Sequence, residues 1–335
     1  MIQYQLEQKS CPCCRRAVSA RAPGVLPRHL LGNRLLAHQA VQHYVFGVTL
    51  GQLENQLAVG YGTLVSALHG LARRFEPVIE RWVRASRRAP VKHADETGWR
   101  TDGHNGYAWL FCTETISLFR FRQSRSGQIA QQVLGTRRLR GVLVVDLYHG
   151  YNRAPCALQY CYSHLLRDVE DLEKEFPSQP EIQRFVATLA PLLARAMHLR
   201  GLKLSAGQFR QQAAQTRAEI EAVTSASAQP PAIQKIQNRF REKADRLYHW
   251  AGDRAIPAEN NRAERELRPL VIARKLSFGS QSEAGARTRE VLMSVRHTLR
   301  KRTDNVTAAF QHVLDRLAQD ERADLYKLLL RCDSS

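Results

Sequence analysis

The sequence predicts a mixed α/β fold with helical regions on either side of the sheet, and three observations carry that prediction. YAWLFCT (107–113) and SLFRFRQS (117–124) are aromatic-rich apolar runs joined by a short turn, the pattern of two paired strands. The run VLVV (142–145) is continuously apolar, as strands buried on both faces are. Before these strands, leucines recur at spacings of three and four, which marks amphipathic helices.

In chain order, residues 1–24 form a short cysteine-bearing segment. Residues 25–90 read as helical. TLGQLENQL (49–57) aligns Leu50, Leu53 and Leu57, and after a break at AVG, YGTLVSALHGLARRF aligns Leu64, Leu68 and Leu71. Two helices joined by a glycine-containing turn fit a helix-turn-helix and fit any helical hairpin equally well; Arg73 and Arg74 at the basic end allow DNA docking. Residues 91–176 change period. An extended segment begins about Asp95, the two strands above follow, GQIAQQVLG reads as a short helix, and the 142–145 strand ends in Asp146. Strand–strand–strand–helix–strand implies a mixed sheet. From residue 177 the chain is helical and polar, with TSASAQPP (224–231) as a linker between helices.

Charge narrows the function. Fifty Lys and Arg against 31 Asp and Glu give a formal net charge of +19 and a pI near 10.1. Such a field attracts polyanions, of which nucleic acid is the commonest large one, although a ribosome-associated protein or a merely basic surface has the same balance. The amino-terminal MIQYQLEQKSC lacks the apolar core of a signal peptide, and no run approaches the roughly 18 apolar residues of a membrane span. Seven scattered cysteines do not suggest a disulfide framework. The expectation is a soluble protein of a reducing cytoplasm.

The carboxylates suggest chemistry. Asp146 terminates the most apolar strand, where an acid is costly near a core unless it is paired or binds a cation. Asp95 lies in KHADETGWR. Were the two strands side by side, both acids would stand at one sheet edge, where a divalent metal relieves their repulsion; oxygen donors suit Mg or Mn better than Zn. Alone, Asp146 reads rather as a turn or helix cap after its strand. ENNRAERELRP (259–269) supplies further acids. Read as a helix begun near Pro257 and stopped before Pro269, it puts Asn260, Asn261, Glu264 and Arg268 on one side, Glu266 roughly opposite Glu264, and Glu259 turned away. Its asparagine amides suit a carboxylate or a phosphate. A solvated helix with weak Glu–Arg pairs is the alternative. Residues 254–302 hold twelve Lys and Arg against five Glu, and RKLSFGSQSEAGARTRE adds a helix start where backbone N–H groups receive phosphates.

The stretches ADETGWRTDGHNGYAWLF, GVLVVDLYHGYNRAP, QYCYSHLLRDVEDL and ENNRAERELRPLVIARKLSFGSQSE resemble, in this order, the transposases of the insertion sequence 66 family, over about residues 26–320. The most specific part is the Asn-Asn-x-x-Glu-Arg-x-x-Arg-Pro segment followed by Arg-Lys-x-x-x-Phe-Gly. The resemblance implies a ribonuclease-H-like mixed-sheet catalytic core with an Asp-Asp-Glu triad, matched here by Asp95, Asp146 and Glu264. It implies two Mg2+ or Mn2+ ions held by those three residues, and strand cleavage and strand transfer at the ends of an insertion sequence. DNA ends and target DNA are the implied partners, with a homo-oligomer on DNA, possible accessory proteins of the element and a bacterial, nucleoid-associated location. His164 and Arg167 match a His-Leu-Leu-Arg-Asp stretch, where His164 either meets the scissile region or is a packed helix histidine; Arg265, Arg274 and Lys275 join the expected DNA-contacting or supporting residues.

The implied organisation is residues 25–90 as a DNA-binding helical region, 91–176 as the first part of the core, 177–252 as a helical insertion, 253–320 as the rest of the core with basic DNA-contacting helices, and 321–335 as a tail. The 117 residues between Asp146 and Glu264 exceed what a minimal fold of this kind needs, hence the insertion. The family's zinc-binding module carries two cysteine pairs. SCPCC offers one, Cys11 and Cys14 with Cys13 between, so residues 1–24 read as a remnant and zinc as doubtful. A decayed DNA-binding copy without catalysis and a plain metal nuclease are the alternative readings.

Overall fold

The structure is a computed structural model and describes residues 4–330. Cys332 and the rest of 331–335 lie outside the described residues. An antiparallel hairpin opens it, β1 (Gln8–Ser10) and β2 (Ala17–Ser19), with Cys11, Cys13 and Cys14 in its turn. Three helices follow: α1 (Asn33–Tyr44), α2 (Leu50–Leu57) and α3 (Tyr61–Arg87). Thr49 and Gln52 form a reciprocal capping box that starts α2, and Ala58, in the left-handed region at φ +50°, ends it. Leu64, Leu68 and Leu71 are buried on α3 as their spacing predicts, whereas on α2 only Leu53 is.

The core is one five-stranded mixed sheet. Strands β3 (Val91–Thr101), β4 (His104–Cys112) and β5 (Ser117–Arg122) form an antiparallel meander, helix α4 (Gln128–Leu134) follows, and β6 (Val142–Val145) and β7 (Ala157–Tyr160) add in parallel, giving the order β5-β4-β3-β6-β7. Asp95 is the fifth residue of its strand, not the first, because pairing with both β4 and β6 extends β3 back to Val91. This mixed α/β architecture is that of a ribonuclease-H-like core.

Helix α5 (Tyr162–Glu175) leaves the end of β7. Then come α6 (Pro180–Leu199), α7 (Ala206–Ser225), α8 (Pro231–Glu242) and the short α9 (His249–Gly252), all helical between the last strand and the acidic segment. Helix α10 (Asn261–Ser277) returns to the sheet against β3 and β4. It begins four residues after the expected start and runs straight through Pro269. Ala263, Leu267, Leu270 and Ala273, buried before and after the proline, hold both halves on the sheet and offset the roughly 3 kcal/mol that an interior proline costs.

Helix α11 (Glu283–Arg300) lies against β5 and α3, with every residue from Val291 to Leu299 buried. Of its basic residues, Arg289 and Arg296 are interior, Arg287 pairs with Glu76 at the surface, and Arg300 is exposed. Helices α12 (Val306–Gln319) and α13 (Leu325–Leu330) close the chain. The segment expected as a tail packs through α13, with Leu329 buried and Asp324 paired to Arg81 at 2.6 Å. No helix among the described residues is long and apolar enough to cross a membrane.

Candidate active site

The two aspartates are brought together by strand register. β3 and β6 are parallel neighbours with Val91 opposite Val142, Lys92 opposite Leu143 and His93 opposite Val144. Continued two residues past its last pair, the same offset would set Asp95 opposite Asp146, one residue beyond the end of β6, with strands about 4.8 Å apart, and the charge of Asp146 does reach Asp95. Both acids thus stand at the edge where the parallel strands end. Backbone N–H groups orient each carboxylate: Glu96 N–H donates to Asp95 Oδ1 at 2.9 Å, and Tyr148 N–H to Asp146 Oδ1 at 3.0 Å.

Glu264 arrives from the first turn of α10. Burial pushes the Asp95 carboxyl up to about 8, and the charges of Glu96, Asp146 and Glu264 add to the rise against the lowering effect of the Glu96 N–H. Three carboxylates therefore share one electrostatic environment with Asp95. Such a set, acidic, partly buried and rich in oxygen donors, has the chemistry to hold a hard divalent cation.

Asn260 fixes the helix that carries Glu264. It is buried and caps α10 by position, without a side-chain cap bond. Its Nδ2 donates to Ala94 O at 2.8 Å and its Oδ1 accepts from His93 Nδ1 at 3.0 Å, while its backbone N–H donates to Cys161 Sγ at 3.1 Å. Burial holds His93 neutral, lowering it to about 4, so Nδ1–H is the donor. The amide is thus committed to the strand that bears Asp95 and has no free face for a phosphate. Asn261, by contrast, is exposed as the first residue of α10.

His164 lies beside the third acid. One ligand atom each of Cys161, His164 and Glu264 falls within 4.8 Å of the others. Glu264 Oε1 and His164 Nδ1 are both shielded from solvent and lack a hydrogen-bond partner among the described residues. Cys161 is a poor ligand here. Burial pushes its thiol up to about 11 and its sulfur already accepts the Asn260 N–H. Cys161, His164 and Glu264 thus offer a thiol, an imidazole and a carboxylate beside the two aspartates.

Arg265 and Arg268 are exposed on α10, as are Ile272 and Lys275; with Asn261 they make a stripe at spacings of three and four that starts beside the acids. Arg274 turns the other way, donating from Nη1 to Gly98 O at 2.5 Å and Thr97 Oγ1 at 3.2 Å on β3. Arg167 is exposed one turn beyond His164 on α5. The other two glutamates of the segment stand apart: Glu266 binds Ser117 Oγ and Lys301 Nζ, and Glu259 precedes the helix.

One participant escaped the sequence reading. Glu96, beside Asp95, has a side chain only 1% exposed, bound by Arg125 Nε at 2.9 Å, Arg125 Nη2 at 2.7 Å and the Tyr151 hydroxyl. Arg125 lies over the Tyr148 ring at 4.0 Å, and Tyr148 OH donates to Arg125 O. A continuous network therefore joins the strand of Asp95 to the loop of Asp146. The available signal was the acid following Asp95 together with the two tyrosines of DLYHGY.

In the amino-terminal hairpin, Cys11 N–H donates to Arg16 O, and backbone N–H groups of Cys14 and Cys13 lower the Cys11 thiol. Among the described residues its thiols belong to no group of three convergent metal ligands.

A family model described as transposase, IS66 family, matches residues 28–288, more than three quarters of the chain. The chain belongs to the IS66 family of transposases. No curated protein and no solved structure gives a match. For a transposase the geometry has a direct meaning, since its substrate is a polyanion and its work is done on phosphodiesters. The acidic cluster stands within a chain of net charge +19.

Proposed function

We propose that this transposase cuts DNA strands at the ends of its element and joins them to target DNA, with Asp95, Asp146 and Glu264 as the catalytic carboxylates. The observation that supports the reading is the parallel register of β3 and β6, which when continued brings Asp95 level with Asp146, together with the charges of Asp146 and Glu264 that both act on Asp95. The three residues would hold two Mg2+ or Mn2+ ions. When bound, those ions supply Lewis-acid charge neutralisation for in-line displacement at phosphorus.

The residues of the chain divide the remaining work. Asp95, which burial and its acidic neighbours hold up to about 8, would be ionised as a ligand, since a bound cation would offset those neighbours. Asn260 fixes Glu264 relative to β3, and His164 flanks Glu264 with one ligand atom of each within 4.8 Å of the other. Glu96, Arg125 and Tyr151 keep β3 and the Asp146 loop in a constant relation. Arg265, Arg268 and Lys275 track the phosphate backbone, and Arg167 adds charge on α5. Assembly as a homo-oligomer on paired DNA ends, with or without accessory proteins, belongs to the same reading.

Asp146→Ala tests it. The variant is expected to bind DNA carrying the element's ends with affinity within about threefold of the wild type while cleavage with Mg2+ or Mn2+ falls by at least about a thousandfold. Cleavage that persists in the variant overturns the assignment. Binding without cleavage by the wild type would mark a DNA-binding protein without catalysis.

A further inference from the structure

A cavity of about 330 Å3 lies where the amino-terminal helices meet the catalytic core. Its walls come from the end of α1 (His43, Tyr44), α3 (Tyr61, Leu68, His69), the end of α10, the 279–282 loop and α11 (Thr288, Arg289). No aspartate or glutamate lines it. Its one permanent cation is Arg289, which is 6% exposed.

Arg289 has no ion pair among the described residues. Its hydrogen bond is to His43 Nε2 at 3.1 Å, and its guanidinium lies 5.0 Å from the ring centroids of both Tyr44 and Trp99. Those contacts fix the side chain without neutralising it. Burial, with the Arg289 charge adding, holds His43 down to about 4, so His43 is a neutral acceptor that uses Nδ1–H on Val48 O. A buried guanidinium facing a cavity that lacks carboxylates is costly unless an anion visits it. Four hydroxyl residues line the same cavity, Thr288, Ser280, Ser282 and Thr49, of which Thr288 Oγ1 is bonded to His69 Nδ1 at 2.5 Å and Thr49 Oγ1 to Gln52 Oε1 at 3.1 Å. Ser280 Oγ accepts from Trp99 Nε1 at 3.1 Å, which leaves its own proton to donate inward.

The place of the cavity along the protein identifies the anion. Trp99 follows Asp95 by four residues on β3, about 13 Å at roughly 3.3 Å per residue. Helix α10 spans the same interval, with Glu264 on its first turn and Ala273 and Ser277 on the cavity wall. The exposed row of Arg265, Arg268 and Lys275 runs between the two. That row lies on the outer face of α10 and the cavity on its sheet side, so a strand with its scissile phosphate at the acids and its backbone along the row would cross the end of the helix, beside exposed Tyr61 and Phe278, to bring a phosphate to the cavity.

We propose that this cavity is a phosphate socket in which Arg289 and the hydroxyls of its lining receive one backbone phosphate of the DNA held along α10. It rests on the DNA-strand reading above only for the source of the phosphate; the socket itself rests on the cavity. Recognition by a guanidinium and hydroxyls is shared by any phosphate group, so a free phosphorylated compound is the other source to separate.

Two variants test it, Arg289→Gln, which keeps size and a donor, and Val65→Trp, which fills the cavity from the α3 wall and leaves Arg289 in place. Thermal stability of each full-length protein is measured with and without inorganic phosphate and with deoxyadenosine monophosphate, and DNA affinity is measured across a salt series. The expected result is that phosphate stabilises the wild type and neither variant, and that the slope of log K against log salt falls by about one in both variants. Phosphate stabilisation lost in the variants with an unchanged salt slope keeps the socket and assigns it to a free phosphorylated compound. Phosphate binding by a protein that binds no DNA would overturn the strand reading and leave the socket. Equal behaviour of wild type and both variants toward phosphate and DNA overturns the proposal and makes Arg289 a packed arginine. If Arg289→Gln fails to fold, Val65→Trp decides alone.

Discussion

A single carboxyl group states the nature of the site most plainly. Asp95 is held up to about 8 where an unfolded aspartate sits near 3.8, first by burial and then by three acidic neighbours. Between those values the folded, metal-free protein binds the extra proton, so stability is greatest at the acid end of the window and is lost as pH rises toward 8. Asp95→Asn removes the titration. Thermal or urea unfolding in a chelator should find the variant more stable than wild type at pH 9, on the order of a few kcal/mol at about 1.4 kcal/mol per unit, with the gap closing toward pH 5. A gap that does not change with pH would mean that Asp95 stands in solvent. Asn260 is the second decisive residue. Removing its amide leaves Ala94 O and His93 Nδ1 unpartnered in the interior, so Asn260→Ala should cost about 1–3 kcal/mol and slow cleavage, with the salt dependence of DNA binding unchanged. A reduced salt slope in that variant would instead make Asn260 a phosphate contact.

Among the elements, α10 and α11 divide the basic residues of the carboxyl-terminal third in opposite ways. On α10 the buried positions Ala263, Leu267, Leu270 and Ala273 face the sheet, and Arg265, Arg268 and Lys275 are left outside. α11 has an apolar or small residue on nearly every side and is enclosed, taking Arg289 and Arg296 inside with it. Arg289 has His43, two aromatic faces and a cavity. Arg296 has only the Phe310 ring, at 5.4 Å, and its Nε, Nη1 and Nη2 are buried with no hydrogen-bond partner among the described residues. Burial lowers its pKa to about 9, the mark of an uncompensated cation. Arg296→Met keeps the packing and removes the charge, so chemical denaturation should show a gain of about 1–3 kcal/mol. A loss of stability would show that a partner satisfies this guanidinium in solution. Counting charges along 254–302 could not separate these two helices, because net charge is blind to which face of a helix is enclosed.

Across the whole molecule, the sheet was legible in the sequence wherever an apolar run was long. The strands around Tyr107, Ser117 and Val142 and the short helix between them all appear near their expected places. β7 did not show, since four residues with a polar Gln159 at the centre carry no periodicity; that glutamine is buried by bonding Tyr160 O and Leu247 O. The extent of α10 was hidden by Pro269, whose local cost is overridden by tertiary burial. The identities of Asp95, Asp146 and Glu264 were visible as motifs. Their relation was not, because it depends on a parallel register formed across 51 residues and on a helix returning after five others. The clamp made by Asn260 and the network around Glu96 depend on side-chain directions that no spacing rule supplies.

The central claim is that Glu264, and no other acid of the 259–269 segment, joins the two aspartates. An end-joining assay on duplex DNA carrying the element's terminal repeats, with Mn2+, tests it by comparing wild type, Glu264→Gln and Glu259→Gln. Strand joining by the wild type and by Glu259→Gln, with none by Glu264→Gln despite undiminished DNA binding, is the predicted result. Joining by Glu264→Gln at a rate near that of the wild type would contradict it.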